Sequence, residues 1–173
     1  KGRPLTDPLI VHVSSIEMAK KIIIIDKEIE PLFNLLTKHF WPGPLTIVLK
    51  ANLNLLSTKI LAGKDTVGIR FPIHPIAKKL IEYSGVPIAA PSANKFCHIS
   101  PVNPYHVFED FKEFPVKILN GGVSKYSMES TVMKIFPEDK KILLFRLGAV
   151  SPDDIKKVLE TDENFKDYRI ESL

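Results

Sequence analysis

Apolar residues along the chain fall into short compact runs that alternate with stretches of helical periodicity. A short run bounded by proline, glycine or polar residues is typical of a buried strand. Seven segments share this pattern: Leu9–Val13, Leu45–Leu49, Thr66–Phe71, Pro87–Ala90, Val116–Leu119, Thr131–Phe136 and Ile142–Phe145. We therefore predict strands at these positions.

Helical spacing of apolar residues, together with start and stop signals, predicts five helices along the same chain. The clearest is Pro75–Ser84, in which proline occupies the first turn and Gly85 supplies the end. The other four are a helix that follows Ser14 or Ser15 and contains Ile16, Ala19 and Ile23, and helices at Glu28–His39, at Pro104–Phe111 and from Ser151 onwards. The residues after about Glu160 are polar and weakly periodic, so we predict a loose tail there.

Strands that alternate with helices indicate an α/β fold. No repeat, low-complexity tract or linker divides the sequence. We predict a single domain at residues 1–160, built as a twisted open mixed sheet with flanking helices and some antiparallel pairing near the C-terminal strands. A C-terminal tail is predicted at residues 161–173. Many of the 14 prolines stand beside polar residues at strand ends, where open α/β sheets tend to build their sites.

Composition narrows the classes of protein. The chain has 173 residues, and no apolar run approaches the ~18 residues that a membrane helix needs, so we expect no membrane partner. The single cysteine, Cys97, excludes an intramolecular disulfide and a thiolate zinc cluster, and it suits a reducing, cytoplasmic compartment. The net charge of +4 fits a polyanionic ligand such as a nucleotide or RNA, although many proteins that bind neither have a similar charge.

The familiar signatures of metal and nucleotide enzymes are absent from the sequence. It contains no Walker P-loop, no dinucleotide glycine fingerprint, no HExxH motif and no serine hydrolase elbow. The five histidines form no pair at metal-ligand spacing, so no metal site is predicted. Trp41 is interpreted as a core residue rather than a base-stacking platform. If the chain is an enzyme, the missing signatures favour one that positions charged substrates over one that uses a metal cage or a covalent nucleophile.

Cationic or small polar residues stand at or near the ends of several predicted strands. They occur in five short segments: Lys1–Pro4, Gly68–Pro72, Ser92–Asn94, Ser130–Thr131 and Arg146–Gly148. Arginine suits bidentate recognition of phosphate or carboxylate, and serine and asparagine side chains can hydrogen-bond to phosphate. Taken singly, these segments are explained at least as well by a solvated basic terminus, a surface ion pair or an ordinary turn.

In order and spacing, these segments together resemble the YrdC/Sua5 family, the threonylcarbamoyl-adenylate synthases. The resemblance extends from Lys1 to about Glu160. Its blocks are KGRP, PLIVH, WPGPLT, VGIRFP, APSAN, STV and RLGA, which begin at residues 1, 8, 41, 67, 90, 130 and 146. The paired family signature, Lys-x-Arg and a much later Ser-x-Asn, is matched by Lys1, Arg3, Ser92 and Asn94.

The resemblance implies a YrdC-like domain with a concave nucleotide-binding surface and a defined reaction. L-Threonine, bicarbonate and ATP give threonylcarbamoyl-AMP and pyrophosphate, and this product serves the N6-threonylcarbamoyl modification of adenosine 37 in tRNA. Mg²⁺ is implied to arrive with ATP, with no tightly bound prosthetic group, and a threonylcarbamoyl-transferase machinery is implied downstream. The alternative is a non-catalytic module of the same fold that binds tRNA or double-stranded RNA, although no aromatic-plus-basic stripe supports it.

The resemblance also implies roles for eight residues. The implied catalytic set is Lys1, Arg3, Ser92 and Asn94. The residues implied to bind ATP and its phosphates are Lys1, Arg70, Ser92, Asn94, Ser130 and Arg146. The residues implied to bind threonine are Arg3, His12 and Ser130, with Ser130 also near the carbamate and the α-phosphate.

Several features depart from the family pattern. Family members carry a strand and loop before the Lys-x-Arg motif that help to build the threonine pocket, so we expect that this chain by itself can be inactive. Lys95–Cys97 replaces the usual small turn after Asn94, and Glu129 precedes Ser130 where proline or glycine is common. The long C-terminal domain of Sua5 proteins is not found in this sequence, which resembles the shorter, YrdC-like form.

Overall fold

The computed structural model describes residues 1–125 and 128–173. Within these residues the chain forms eight strands and five helices. The strands are β1 (Ile10–His12), β2 (Ile23–Ile24), β3 (Leu45–Ala51), β4 (Thr66–Arg70), β5 (Ile88–Ala90), β6 (Thr131–Phe136), β7 (Lys141–Arg146) and β8 (Arg169–Ser172). The helices are α1 (Ile16–Ile22), α2 (Glu30–Phe40), α3 (Pro75–Ser84), α4 (Pro104–Phe111) and α5 (Pro152–Leu159). In these two ranges no helix has the length and apolar character needed to cross a membrane.

All of the described strands belong to one mixed sheet. Its order is β5-β1-β4-β3-β6-β7-β8, and β2 pairs with the last two residues of β3. The pairs β1/β4, β3/β6 and β7/β8 run parallel, whereas β1/β5, β2/β3, β3/β4 and β6/β7 run antiparallel. The predicted α/β class is thus confirmed, and so is the antiparallel pairing near the C-terminal strands.

The two faces of the sheet differ in burial because side chains alternate along each strand. Val11, Ile69 and Met133 point to one face and are at most 1% exposed. The buried apolar residues of α1, α2 and α5 belong to the same hydrophobic core. His12 and Arg70, each one position further along its strand, point to the opposite face and are only partly buried. One face therefore forms the core, and the other is available for a site.

Local signals set several helix ends as the sequence predicts. The observed α3 coincides with the predicted helix, and Gly85 ends it in the left-handed conformation with φ at 67°. Ser15 caps α1 by accepting a hydrogen bond from the Met18 amide at 3.0 Å. Ser151 forms a capping box with Asp154 at the start of α5. These contacts satisfy amides that have no partner inside the helix.

Trp41 is a core residue, which confirms its interpretation from the sequence. Its side chain is 8% exposed, and its indole nitrogen donates to the Leu45 carbonyl at 2.8 Å. Its ring also packs edge-on against Phe33 at a centroid distance of 5.7 Å. A tryptophan buried in this way is not available for stacking with a base.

One predicted strand is wrong. Residues Val116–Leu119 form no strand among the elements that the structure describes. The Val116 amide instead donates to the Phe114 carbonyl at 2.7 Å in a tight local turn, and Val116 and Leu119 are 50% and 65% exposed. An apolar run becomes a strand only where a neighbouring strand and a packing surface are available to it.

Two helix boundaries also differ from prediction. Ile23 was expected in the first helix but belongs to β2, where it pairs with Ala51. The second helix begins at Glu30 rather than Glu28, because the Asp26 carbonyl accepts from the amides of Ile29 and Glu30 and forms a turn before it. Both shifts fall within the range in which helix ends vary between sequence patterns and structures.

The prediction of a loose tail after residue 160 is wrong. Phe165 and Tyr168 are 7% and 6% exposed, and their rings pack edge-on at a centroid distance of 5.8 Å. The strand Arg169–Ser172 then pairs in parallel with β7. Sparse apolar residues gave no periodicity in the sequence, but two aromatic anchors and the hydrogen-bonding edge of β7 suffice to order the segment.

We predict that Phe165→Ala lowers the free energy of unfolding by about 3 kcal/mol, because it removes a large buried side chain. The control is Leu173→Ala, which removes an apolar side chain that is 86% exposed. Urea unfolding followed by circular dichroism measures both variants. If the two variants lose equally little stability, the C-terminal segment does not contribute to the core.

Candidate active site

A cavity of about 810 Å³ opens on the sheet face that does not form the main core. Alternate strand residues reach it, including Ile10 and His12 on β1 and Gly68 and Arg70 on β4. Six of the eight residues that the sequence singled out line this cavity: Arg3, His12, Arg70, Ser92, Ser130 and Arg146. The fold thus brings residues that are far apart in the sequence to the wall of one cavity.

The strand register explains why these side chains meet. β1 and β4 run parallel, and His12 lies beside Arg70 as its register partner. Ser130 immediately precedes β6, whose residue Val132 is the register partner of Arg146 at the end of β7. Because alternate side chains on a strand share a face, each pair presents its polar groups on the same side of the sheet.

Arg146 holds the Ser130 segment through several hydrogen bonds. Its Nε donates to the Ser130 carbonyl at 2.9 Å, and its Nη2 donates to the Ser130 hydroxyl at 2.9 Å. The Ser130 hydroxyl also shares a hydrogen bond with Thr46 Oγ1 at 2.8 Å. Ser130 is 2% exposed, so its hydroxyl is fixed in orientation rather than free to rotate in water.

Gly148 allows this close approach. A Cβ atom at this position would lie 2.4 Å from the Glu129 carbonyl oxygen and 2.5 Å from the Thr131 nitrogen. Both neighbours are backbone atoms, which cannot move aside as a flexible side chain can. Only glycine lets the segment after β7 pack directly on the segment before β6.

Glu129 is a site residue that sequence reasoning treated only as a departure from the family pattern. Its carboxylate forms a short ion pair with Arg146 Nη1 and accepts a hydrogen bond from the Ser100 hydroxyl at 2.7 Å. Both partners line the cavity with it. An acidic residue beside a serine gave no signal in the sequence because its partners lie 17 and 29 positions away.

The imidazole of His12 is held neutral. Burial, and then the nearby Arg70 charge, lower its pKa from 6.5 to about 4. Its Nδ1 lies 3.3 Å from the Ile88 carbonyl oxygen. Since a carbonyl only accepts, Nδ1 carries the proton and Nε2 is left unprotonated. His12 therefore offers a hydrogen-bond acceptor without a charge.

Arg70 contributes a cation that is only partly compensated. Burial and the charge of Arg146 lower the pKa of its guanidinium, and Glu129 opposes this effect. Its Nε atom is buried without a hydrogen-bond partner among the described residues. A buried donor of this kind is costly unless a group on a ligand satisfies it, so Arg70 is suited to an anion in the cavity.

Lys1 and Asn94 act on the loop of residues 91–99 rather than on the cavity wall of the described chain. Lys1 Nζ donates to the Ser92 carbonyl at 2.5 Å and makes a shorter contact with the Asn94 carbonyl. Asn94 is 5% exposed, and its Nδ2 donates to the His98 carbonyl at 2.6 Å. Burial, and then the charge of Arg3, lower the pKa of Lys1. Both side chains thus hold the loop that presents Ser92 to the cavity.

Arg3 is anchored by contacts with the residues that follow it in the chain. Its Nη2 pairs with the Asp7 carboxylate at 2.8 Å and donates to the Pro8 carbonyl at 2.9 Å. Lys64, which the sequence reading did not single out, also lines the cavity. Its position in a loop between two strands gave no pattern from which to select it.

The cavity has the chemistry of an anion receptor. Its wall carries four cationic side chains, Arg3, Lys64, Arg70 and Arg146, against two carboxylates, Asp7 and Glu129. Each of these carboxylates is paired with an arginine. Over residues 1–125 and 128–173, no group of three or more histidine, cysteine, aspartate or glutamate side chains is arranged to hold a metal. The arrangement suits a compact polyanion with several oxygen atoms.

Comparison with known proteins identifies the family. The family model for the Sua5, YciO and YrdC proteins, described as telomere recombination, matches residues 1–148. The chain belongs to the Sua5/YciO/YrdC family. Two curated relatives are named threonylcarbamoyl-AMP synthase, from Pyrococcus abyssi and Bacillus subtilis, and are 42% and 40% identical to it over 159 residues.

Both relatives are longer than this chain. The matched segments are 92% of this chain but 45% and 44% of the two relatives, so the chain spans less than half their length. The crystal structure of P. abyssi Sua5 in complex with L-threonine superimposes with a TM-score of 0.85 at 40% identity, over 98% of this chain and 46% of that one. The Sua5/YrdC-like fold predicted from the sequence is thereby confirmed.

The depressed pKa of His12 predicts a pH dependence of stability. Protonation is easier in the unfolded chain, so the free energy of unfolding is highest above pH 6.5 and falls as the pH drops towards 4. The His12 contribution to this loss is about 3 kcal/mol. His12→Gln, which does not titrate, should lose correspondingly less stability over this range in urea titrations at several pH values.

His39→Gln is the matched control, because it removes an exposed imidazole on α2 instead of the buried imidazole of His12. It should keep the pH dependence of the unchanged protein. A His12→Gln profile as steep as that of His39→Gln would contradict the assignment of a buried neutral imidazole.

Proposed function

We propose that this chain is the threonylcarbamoyl-adenylate-forming domain of a threonylcarbamoyl-AMP synthase. The observation that carries the proposal is the cavity in which Arg3, Arg70 and Arg146 surround Ser92 and Ser130. Polyanion chemistry follows from these side chains, and the choice of reaction is supported by the two synthases at 42% and 40% identity.

In the proposed reaction the amine of L-threonine combines with bicarbonate to give a carbamate and water. A carbamate oxygen then attacks the α-phosphorus of ATP, and the bond to the departing pyrophosphate breaks. Both steps bring several anions together. Fixed cations lower the repulsion among these anions and hold the carbamate in line with the leaving group, so catalysis depends on positioning and on electrostatic stabilisation.

Arg146, Arg70 and Ser92 are the groups proposed to hold the phosphates. One guanidinium nitrogen of Arg146 donates to Glu129, and the other two donate to Ser130. A phosphate oxygen can replace the Glu129 carboxylate on that first nitrogen without disturbing the contacts to Ser130. Arg70 supplies its Nε atom, which has no hydrogen-bond partner in the part of the chain that the structure describes. The loop held by Lys1 and Asn94 supplies Ser92.

Arg3, His12 and Ser130 are proposed to face the threonine and its carbamate. A guanidinium suits the amino-acid carboxylate. Because the pKa of His12 is lowered to about 4, its ring is uncharged near neutral pH. An uncharged acceptor can take a hydrogen bond from the threonine amine or hydroxyl without repelling an ammonium group. The Ser130 hydroxyl is oriented by its hydrogen bonds with Thr46 and Arg146.

Mg²⁺ is proposed to arrive with ATP. The cavity carboxylates, Asp7 and Glu129, are each engaged by an arginine, which fits an ion carried on the phosphates rather than one held by a protein site. Bound there, Mg²⁺ would neutralise phosphate charge. No further cofactor is proposed.

The product, threonylcarbamoyl-AMP, is proposed to pass to a threonylcarbamoyl-transferase machinery that modifies adenosine 37 of tRNA, in the cytoplasm. The alternative from the sequence, a module that binds tRNA or double-stranded RNA without chemistry, stays a hypothesis that the assay below separates from the synthase.

The test is pyrophosphate release that requires both L-threonine and bicarbonate, measured on residues 1–173 and on the longest gene product that contains them. Arg146→Ala should lower kcat/KM by about 100-fold, because it removes a fixed donor to the reacting phosphates. Lys1→Ala and Ser92→Ala should each lower it by about tenfold.

Arg169→Ala is the matched control, since Arg169 is an exposed arginine on β8 outside the cavity wall. Its activity should equal that of the unchanged protein. The synthase proposal is overturned if neither form releases pyrophosphate in a threonine- and bicarbonate-dependent manner. Binding of double-stranded RNA with a steep salt dependence in that case would favour the RNA-binding module.

A further inference from the structure

Asp110 on α4 holds the loop that carries Ser92 and Asn94. Its Oδ2 accepts a hydrogen bond from the Lys95 amide at 2.9 Å, and its Oδ1 lies 2.9 Å from His98 Nδ1. One carboxylate therefore contacts both ends of the four-residue turn 95–98. Asp110 is not among the residues that line the cavity in the described chain, so any effect on a ligand must pass through the loop.

The turn that Asp110 holds is conformationally demanding. Cys97 adopts a φ of 67°, a left-handed conformation that costs free energy for a residue other than glycine. The His98 amide closes the turn by donating to the Lys95 carbonyl at 3.0 Å. A strained turn persists only where surrounding contacts fix it, and the Asp110 carboxylate supplies two of these contacts.

The contacts continue from this turn to the cavity. The His98 carbonyl accepts from Asn94 Nδ2 at 2.6 Å, and the Asn94 carbonyl accepts from Lys1 Nζ. The same ammonium group binds the Ser92 carbonyl. A displacement of the turn would thus move Asn94 and Ser92 together.

The charge of Asp110 also supports the Lys1 ammonium group that holds this loop. Burial and Arg3 lower the pKa of Lys1, whereas the negative charge of Asp110 raises it. The carboxylate itself is stabilised, because hydrogen bonds from the Lys95 amide and His98 lower its pKa. Asp110 therefore remains an anion that supports the Lys1 cation beside the loop.

We propose that Asp110 is a positioning residue: its carboxylate clamps the turn 95–98, which holds Asn94, and thereby fixes Ser92 for the phosphates of the nucleotide. The proposal rests on the proposed function for the identity of the nucleotide, but the clamp itself does not. It differs from a general contribution to folding, because it acts on the affinity for the phosphates through one loop.

The experiment combines amide hydrogen exchange over residues 92–98 with steady-state kinetics. Asp110→Ala should raise the exchange rate of the Lys95 amide and its neighbours and raise the KM for ATP by about tenfold, the effect of losing hydrogen bonds to a charged group. We expect kcat and the KM for threonine to change by less than about twofold, because Asp110 is not among the residues that line the cavity in the described chain.

Two further variants sharpen the test. Asp110→Asn keeps one carbonyl oxygen for the Lys95 amide and should recover part of the loss. Glu109→Gln changes the neighbouring carboxylate, which pairs with Lys112 on the same exposed helix surface, and should leave loop exchange and the KM for ATP unchanged. The clamp is refuted if Asp110→Ala matches Glu109→Gln in both measurements, or if it lowers kcat alone.

If thermal unfolding shows that Asp110→Ala does not fold, His98→Ala, which removes only the Oδ1 partner, should raise the KM for ATP by about threefold, and an unchanged KM rejects the clamp. If neither this chain nor the longest gene product that contains it releases pyrophosphate, the proposed function fails. Equilibrium titration with ATP then replaces the KM, with the same tenfold loss expected for Asp110→Ala.

Discussion

The cavity gathers several cations on one face of a sheet, and the rest of the site depends on how their mutual repulsion is balanced. Burial and the charge of Arg146 lower the pKa of Arg70, and Glu129 opposes this effect. Asp7 pairs with Arg3, and Glu129 pairs with Arg146. These carboxylates compensate the clustered positive charges when no ligand is bound. An entering polyanion can replace them as the compensating negative charge.

The scaffold makes this arrangement possible by separating two tasks. Alternation along the strands sends Val11 and Ile69 into a helix-covered core while His12 and Arg70 face the cavity. The core fixes the strands, so the polar face need not stabilise the fold. Where the chain leaves the strands, Gly148 lets two backbone segments pack directly on each other, and Asp110 holds the loop 91–99. Rigid strands and specially held loops together set the geometry.

Much of this could be predicted from sequence because the signals were local. The helix Pro75–Ser84 carries its own start and stop residues, and Arg70 stands at the end of an apolar run. The remainder depended on contacts between distant residues. Glu129 matters through Arg146, Asp110 matters through a loop 15 residues before it, and the segment after residue 160 is ordered by β7. Neither periodicity nor local punctuation records such pairings, whereas motif order selected cavity residues that no single segment supported.

The anion-receptor character of the cavity is tested most directly by calorimetric titration of the protein with ATP and with adenosine at low and high KCl. If the cations of the cavity hold the triphosphate, ATP should bind at least about tenfold more tightly than adenosine, and its affinity should fall as salt rises. Equal affinities for ATP and adenosine, with no dependence on salt, would contradict the account.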